Sequence, residues 1–354
     1  MPENINKLVI IGNGFDLAHG FKTSYNDFIL WLLNQRLTQQ MKYEPYYEEL
    51  FVITPDRRYV IETVSSVSDF LSRYKQETRY KSSFFESIIN SSKEQNWVDI
   101  ESEFYRLLIT IYNDGQGQKE LYRHEIYRSQ IEKLNADFEF IKNKLEEYLS
   151  TLSFDIRKEK DINEDINDLF QRDFAVAYLK ENQNQKRICY LNFNYTNTIE
   201  SYIHQDTNHE INYIHGKLNI KENPLIFGYG DEVDSYYEKI ENLNINEFLN
   251  NFKSFGYFKT KNYQNLLRFI DSEPYEIEIL GHSCGLSDRV LLSTLFQHDN
   301  CQSIKIHYYQ KSATEDDYTI KTQEISRHFH NKALMRKRII DKKDCKSLVR
   351  FVPK

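Results

Sequence analysis

Apolar positions follow two different rhythms along this chain, and the change of rhythm divides it. Lys7 to Ile11 is a short, β-branched run ended by glycine, the pattern of a buried strand. After a glycine turn, Ser24-x-x-Asp27 forms a capping box that opens a helix through Phe28, Trp31 and Leu32. From there to about residue 180, apolar residues recur at steps of three and four. One stripe is Val60, Val64, Val67, Leu71 and Tyr74; a second is Trp97, Ile100, Phe104, Leu107, Leu108 and Ile111. A third runs through Ile131, Leu134, Phe138, Ile141, Leu145 and Leu149. Such stripes predict helix faces buried against one another and carry no chemistry by themselves.

Beyond residue 187 the runs shorten. Arg187 to Phe193, Ile211 to Ile214, Leu225 to Phe227, Ile277 to Leu280 and Ile304 to Tyr308 read as strands. Helical segments fall between some of them, around Ile245 to Phe252 and Tyr263 to Ile270. Strands alternating with helices predict an α/β fold: a Rossmann-like, mostly parallel sheet with helices on both faces. The first strand comes from the far N-terminus, so residues 30–180 read as a large helical insertion after the first βα unit. The expectation is one domain over 1–354, with a basic segment at 332–354.

Composition narrows the class. At 354 residues, with 28% charged residues and a formal charge of −7, the chain reads as soluble and nucleic acid as an unfavoured partner. Arg336, Lys337, Arg338, Lys342, Lys343 and Lys346 form a local basic tract, read as a solvated face, with a partner contact as the other reading. No signal segment or membrane-spanning run is evident, and four scattered cysteines without a C-x-x-C pair suit a reducing cytoplasm. Glycine is scarce, with 11 in the chain. Eight of these fall at Gly12/Gly14/Gly20, Gly216, Gly228/Gly230 and Gly281/Gly285, which marks backbone needing positive φ or close approach.

Those segments hold the candidate chemistry. Gly12-Asn13-Gly14 between a strand and a helix turns backbone N–H groups toward an anion, although Leu17 occupies the third glycine position of the dehydrogenase fingerprint. "LNFNYTNTIESYI" (Leu191 to Ile203) places Asn194 and Asn197 after a strand, where they suit ribose or carboxamide recognition, or turn capping. "NYIHGKL" puts His215 at a strand end as a candidate base. "EIEILGHSCGLSDRVLL" brings Gly281, Ser283 and Gly285 to a turn, with Asp288 opening a helix. Gly281-His282-Ser283-Cys284-Gly285 also satisfies the nucleophile-elbow pattern of serine hydrolases, with Asp288, Asp299, His298, His307, His328 and His330 downstream. His328-x-His330 and His298-x-x-Cys301 lack further ligands, so no metal is expected.

Taken in order, "IIGNGFDLAHGFKTSYNDF", "NWVDIESEF", "LNFNYTNTIE", "YIHG" and "ILGHSCGLSD" resemble the AbiH-type family of bacterial abortive-infection proteins. More remotely, the same order resembles sirtuin-like NAD-binding domains. That resemblance implies Gly12, Gly14 and Gly20 at the first turn, Asn194 as the NAD-contacting asparagine and His215 as the catalytic histidine. Gly281 and Ser283 would match the turn that receives adenosine. Dinucleotide contacts are expected at Gly12, Asn13, Gly14, Phe15, Asp16, Thr23, Gly281, Ser283 and Asp288. Asn13, Asp16 and Thr196 depart from the sirtuin-like pattern, and the absence of paired cysteines removes its zinc module. The implied function is a cytoplasmic antiphage effector that binds NAD+ as substrate and hydrolyses its nicotinamide–ribose bond. A phage-derived trigger and a homo-oligomer are the expected partners. A nucleotide or ADP-ribose sensor and a serine hydrolase at Ser283 are the alternatives.

Overall fold

The computed structural model describes residues 5–40, 50–54, 62–95, 99–116, 120–152, 163–171, 187–203 and 208–349. Its strands are β1 (Asn6–Ile11), β2 (Phe51–Ile53), β3 (Thr78–Tyr80), β4 (Ile188–Asn192), β5 (His209–Tyr213), β6 (Tyr275–Leu280) and β7 (Cys301–His307). Helices of the first half are α1 (Asn13–Ala18), α2 (Tyr25–Gln40), α3 (Val67–Tyr74), α4 (Ser83–Gln95), α5 (Ile100–Gln116), α6 (Glu120–Thr151) and α7 (Glu164–Leu169). The second half adds α8 (Ser235–Glu241), α9 (Lys253–Tyr257), α10 (Asn262–Ser272), α11 (Arg289–Gln297), α12 (Tyr318–Ser326) and α13 (Lys332–Arg338).

Five strands form one parallel sheet in the order β5-β4-β1-β6-β7. Counting only these strands along the chain, the order is 3-2-1-4-5, the Rossmann order, with its reversal at β1. Every residue of β4 is buried, as a strand covered on both faces requires. One face carries Leu8, Ile10, Leu191, Ile277 and Ile304 against α10 and α11; the other carries Val9, Ile11 and Tyr190 against α1 and α7. The fold is therefore the α/β, Rossmann-like arrangement with helices on both faces that the strand pattern implied.

Helices α2 to α7 lie between β1 and β4 in the chain and make up the helical insertion. The capping box forms: Ser24 Oγ accepts from the Asp27 N–H at 3.1 Å, and Asp27 Oδ2 accepts from the Ser24 N–H at 3.3 Å. The stripes through Ile100–Ile111 and Ile131–Leu149 are the inward faces of α5 and α6, while Val60 and Trp97 lie outside the described residues. The insertion does not close on itself. Its core joins Phe84, Phe104 and Phe138 to Phe227, Phe248 and Phe252 of the second half, with the Phe138 and Phe227 rings stacked at 4.8 Å.

Two expectations need correction. The insertion contains an antiparallel pair, β2 with β3, of three residues each, too short to show alternation in the sequence. Leu225 to Phe227 is buried but joins no sheet, because the chain leaves the edge strand β5 through Gly216 (φ +89) and Ile226 donates its N–H to His215 O at 2.8 Å. In the basic segment, Arg338 is buried on Phe296 O and Lys342 is paired with Asp316, while Arg336, Lys337, Lys343 and Lys346 are exposed. No helix among the described residues is long and apolar enough to cross a membrane.

Candidate functional site

The reversal of strand order puts the loops after β1 and β6 side by side, where open α/β sheets receive ligands. Here the two loops lock together. Gly12 donates its N–H to Leu280 O at 3.0 Å, Gly14 to Gly281 O at 2.8 Å, and Phe15 to Gly12 O at 2.8 Å. A Cβ on Gly12 would lie 2.4 Å from His282 Cα, and one on Gly14 would lie 2.7 Å from Gly281 O. Gly281 itself has φ +73, open to glycine at little cost. The expectation that Gly12 and Gly14 offer N–H groups to a phosphate is thus corrected: both donors are spent on the neighbouring loop, and the glycines serve its close approach.

Asn194 follows β4 and is buried against this turn, donating from Nδ2 to Gly12 O at 3.1 Å and from its N–H to Asn192 Oδ1 at 3.0 Å. Asp16, on α1, is buried and accepts from Thr196 Oγ1 at 2.7 Å, so two positions that depart from the sirtuin-like pattern bind each other. The second oxygen, Asp16 Oδ1, has no hydrogen-bond partner. Burial pushes the Asp16 carboxyl up to about 6, against the pull of Thr196 and its neighbours. Asn13 and Thr23 are tied to each other by Thr23 Oγ1 to Asn13 Oδ1 at 2.6 Å and Asn13 Nδ2 to Thr23 O at 3.1 Å. Phe15 is a core residue, its ring edge-on to Tyr202 and Phe170, and presents nothing to a ligand.

His215, two residues beyond β5, meets Asp288, which ends a 3-10 turn (Leu286–Asp288) ahead of α11. His215 Nε2 lies 3.2 Å from Asp288 Oδ1 and 3.3 Å from the Tyr257 hydroxyl. The same carboxylate oxygen accepts from Lys253 Nζ at 2.7 Å, and Lys253 Nζ also reaches Glu101 Oε2 at 2.9 Å. Glu101 Oε1 accepts the Gly228 N–H at 3.0 Å. His282 Nε2 stands 3.6 Å from Asp288 Oδ2, and its Nδ1 accepts the Cys284 N–H at 2.9 Å. The Phe193 ring packs against both imidazoles, at 5.0 and 4.2 Å between centroids. All five polar members are buried: Glu101, His215, Lys253, His282 and Asp288.

Burial alone would discharge every member of this cluster, and mutual attraction decides which stay charged. Asp288 is held well below the usual carboxylate range because Lys253 and His215 outweigh its burial. Burial favours loss of the Lys253 proton, but Asp288 and Glu101 together raise its affinity for that proton. Burial pushes Glu101 up to about 7, opposed by Lys253. His215 falls to about 4 through burial and the Lys253 charge, against the pull of Asp288. At neutral pH His215 is therefore uncharged. With the His215 proton assigned to Nε2, facing the ionised Asp288 that can only accept, Nδ1 is left as a base.

Ser283 is exposed, and no histidine ring hydrogen-bonds it among the described residues. His298 is held by Asp271 at 3.1 Å, His307 by Glu278 at 2.8 Å and His328 by Cys284 O at 2.8 Å. Positive φ in this turn falls on Gly281 (φ +73) and Cys284 (φ +58) and not on the serine. Among the described residues no group of three or more His, Cys, Asp and Glu side chains could hold a metal ion; the Lys253 ammonium fills the space between the two carboxylates. A cavity of about 200 Å³ opens between Leu149 and Leu152 of the insertion and Tyr195, Thr196, Asn197 and Lys217. Another, of about 560 Å³, runs between α6 and the Pro224–Phe227 and Asn250–Gly256 segments and includes Lys253 in its wall. Neither is lined by Asn194, His215 or Asp288, which are buried.

The sequence profile of the family Bacteriophage abortive infection AbiH matches residues 8–310, from β1 to just beyond β7. The chain belongs to the AbiH family. No curated protein matches it. Within this AbiH protein the matched span carries every residue of the cluster, including four that the motif reading passed over: Glu101, Lys253, Tyr257 and His282. Glu101 had a signal, being acidic within the buried stripe Glu101, Phe104, Tyr105 and Leu108 of α5. Lys253 and Tyr257 share one face of a five-residue helix and offered none.

Proposed function

We propose that this AbiH protein is an abortive-infection effector whose target is NAD+, cleaved at its nicotinamide–ribose bond. The observation that carries the reading is placement: Asn194, bonded to Gly12 O, and the His215–Asp288 pair all lie in segments that follow strands at the carboxyl end of the sheet, beside the reversal of strand order. The bond to be broken already has a good leaving group, so the protein must chiefly orient the ribose, admit one water and accept a proton. Water forms its bond to the ribose C1′ as the C1′–N bond breaks. That electron pair leaves with neutral nicotinamide, and the proton from water passes to His215 Nδ1 and then to solvent. Asp288, ionised, fixes the ring through Nε2 and favours the imidazolium that forms. The spent N–H groups of Gly12 and Gly14 leave the pyrophosphate to other donors, and the glycines supply only room for close approach. Burial of His215 and Asp288 suits an effector that stays silent until triggered.

The test is nicotinamide release from NAD+ by the purified chain, alone and with extract of phage-infected cells. Release that is lost in Asn194→Ala and His215→Ala is the expected result. Release that persists in both variants overturns the site; binding of NAD+ or ADP-ribose without release, extract included, overturns the reaction.

A further inference from the structure

The buried network ties the site to the helical insertion, through Glu101 of α5. We infer that Glu101 and Lys253 are positioning residues for His215, so that docking of the insertion sets how firmly Asp288 holds the imidazole. This inference rests on the reading of His215 as the base.

The geometry is a competition for one oxygen. Lys253 Nζ at 2.7 Å and His215 Nε2 at 3.2 Å both approach Asp288 Oδ1. Glu101 Oε2, 2.9 Å from the same ammonium, draws Lys253 in the other direction. With Glu101 in place, Lys253 is shared between two carboxyl groups, and Asp288 Oδ1 keeps capacity to hold His215 Nε2. Without it, Lys253 bonds Asp288 alone and tightens on that oxygen at the histidine's expense. Such a contest acts strongly inside a dry cluster, because little solvent screens it.

Glu101 is held in register by the rest of α5. Tyr105, one turn along, donates to Asp234 Oδ1 at 2.8 Å and stacks on Tyr229 at 4.0 Å. Gly228 supplies the N–H that binds the other Glu101 oxygen, so the α5 contact and the Gly228–Tyr229 segment stand or fall together. The groups facing the network from other elements are Tyr25 of α2, Tyr195 after β4, Tyr257 of α9, Asp99 ahead of α5 and His282 after β6. Burial keeps all three tyrosines protonated, and it raises Asp99 as well. Among the described residues, Lys253 is therefore the only buried cation facing Glu101.

The experiment follows the His215 ring by NMR in full-length protein with labelled histidine, its signals identified by their loss in His215→Asn. Lys253→Met is expected to move the His215 titration up by more than about one pH unit. Because Lys253→Met leaves two carboxylates facing each other and can fail to fold, Glu101→Gln/Lys253→Met is the second measurement. It is expected to titrate more than about one unit above Glu101→Gln alone. Coincident titrations in that pair, with native circular dichroism, overturn the inference. In nicotinamide release, Glu101→Gln is expected to lower kcat roughly tenfold with KM unchanged, and Glu101→Asp to recover most of it. An Asp variant no better than Gln overturns a positioning role. If no form of the protein releases nicotinamide, the reading of NAD+ as substrate fails, and the histidine titrations still decide whether Lys253 governs His215.

Discussion

Two buried clusters in this protein use the same three kinds of side chain to different ends. Within the sheet, Glu278 on β6 holds Lys7 of β1 at 2.7 Å and His307 of β7 at 2.8 Å. At the carboxyl end, Asp288 holds Lys253 and His215, but a second carboxylate, Glu101, shares the lysine. The first cluster sits on regular strands, with one carboxylate between its partners; His307 and Lys7 outweigh burial and hold Glu278 down at about 2. The second joins helix α5, a short helix and loops, and its one lysine is shared between two carboxyl groups. Balance on rigid strands makes a fastener. A shared cation beside a histidine, at the edge where ligands enter such folds, is the arrangement the proposed site uses.

Removing the shared cation should separate them most sharply. Lys253→Met is expected to cost about 3–5 kcal/mol in urea unfolding, since it strands two buried carboxylates. Glu101→Gln/Lys253→Met should recover most of that loss, and no recovery would mean that packing of the lysine stem dominates.

Glu278→Gln is next, at about 3 kcal/mol near neutral pH, from the drop of its carboxyl from 4.5 to about 2. A lowered carboxylate stabilises the fold above its unfolded value and loses that contribution as pH falls through the folded one. The gap between wild type and variant should therefore close between about pH 4.5 and pH 2, and a gap constant across that window refutes the linkage.

Asp16 offers the opposite sign, because no cation accompanies it: burial raises it from 3.8 to about 6. A raised carboxyl favours the fold below its unfolded value and loses that as pH rises through the folded one. Wild type should thus lose up to about 3 kcal/mol relative to Asp16→Asn between pH 4 and pH 7. Equal pH slopes in the two proteins would show that Asp16 finds a partner when ionised.

The smallest effect is expected at Ser283. It is exposed and without a histidine partner, so Ser283→Ala should shift stability by less than about 0.5 kcal/mol and leave nicotinamide release intact. Loss of release in that variant would draw the exposed turn into the site.

What the sequence disclosed follows from how locally each feature is encoded. β1, β4, β6 and β7 announced themselves because a strand covered on both faces is apolar throughout, and Ser24 and Asp27 cap α2 within four residues of each other. The β2–β3 pair left no trace, since three residues carry no period. Leu225–Phe227 was misread because burial looks the same in a strand and in an extended segment. Of the proposed site, Asn194, His215 and Asp288 drew notice from their places after strands or before a helix, Asp288 as a dinucleotide contact and not as the partner of His215. The link from Glu101 to Lys253 spans 152 positions and has no local signature; only packing of α5 against α9 and the turn before α11 creates it.

The position of β1 has a consequence for how the protein is made. It is the middle strand of the sheet, yet its partners Ile188 to Asn192 and Tyr275 to Leu280 are translated long after it. At roughly 5–20 residues per second, β1 waits on the order of ten to thirty seconds for its first neighbour. During that interval the apolar run Leu8–Ile11 has both ladder edges unpaired. The strand at the middle of the sheet is thus held on neither edge until the second half of the chain emerges.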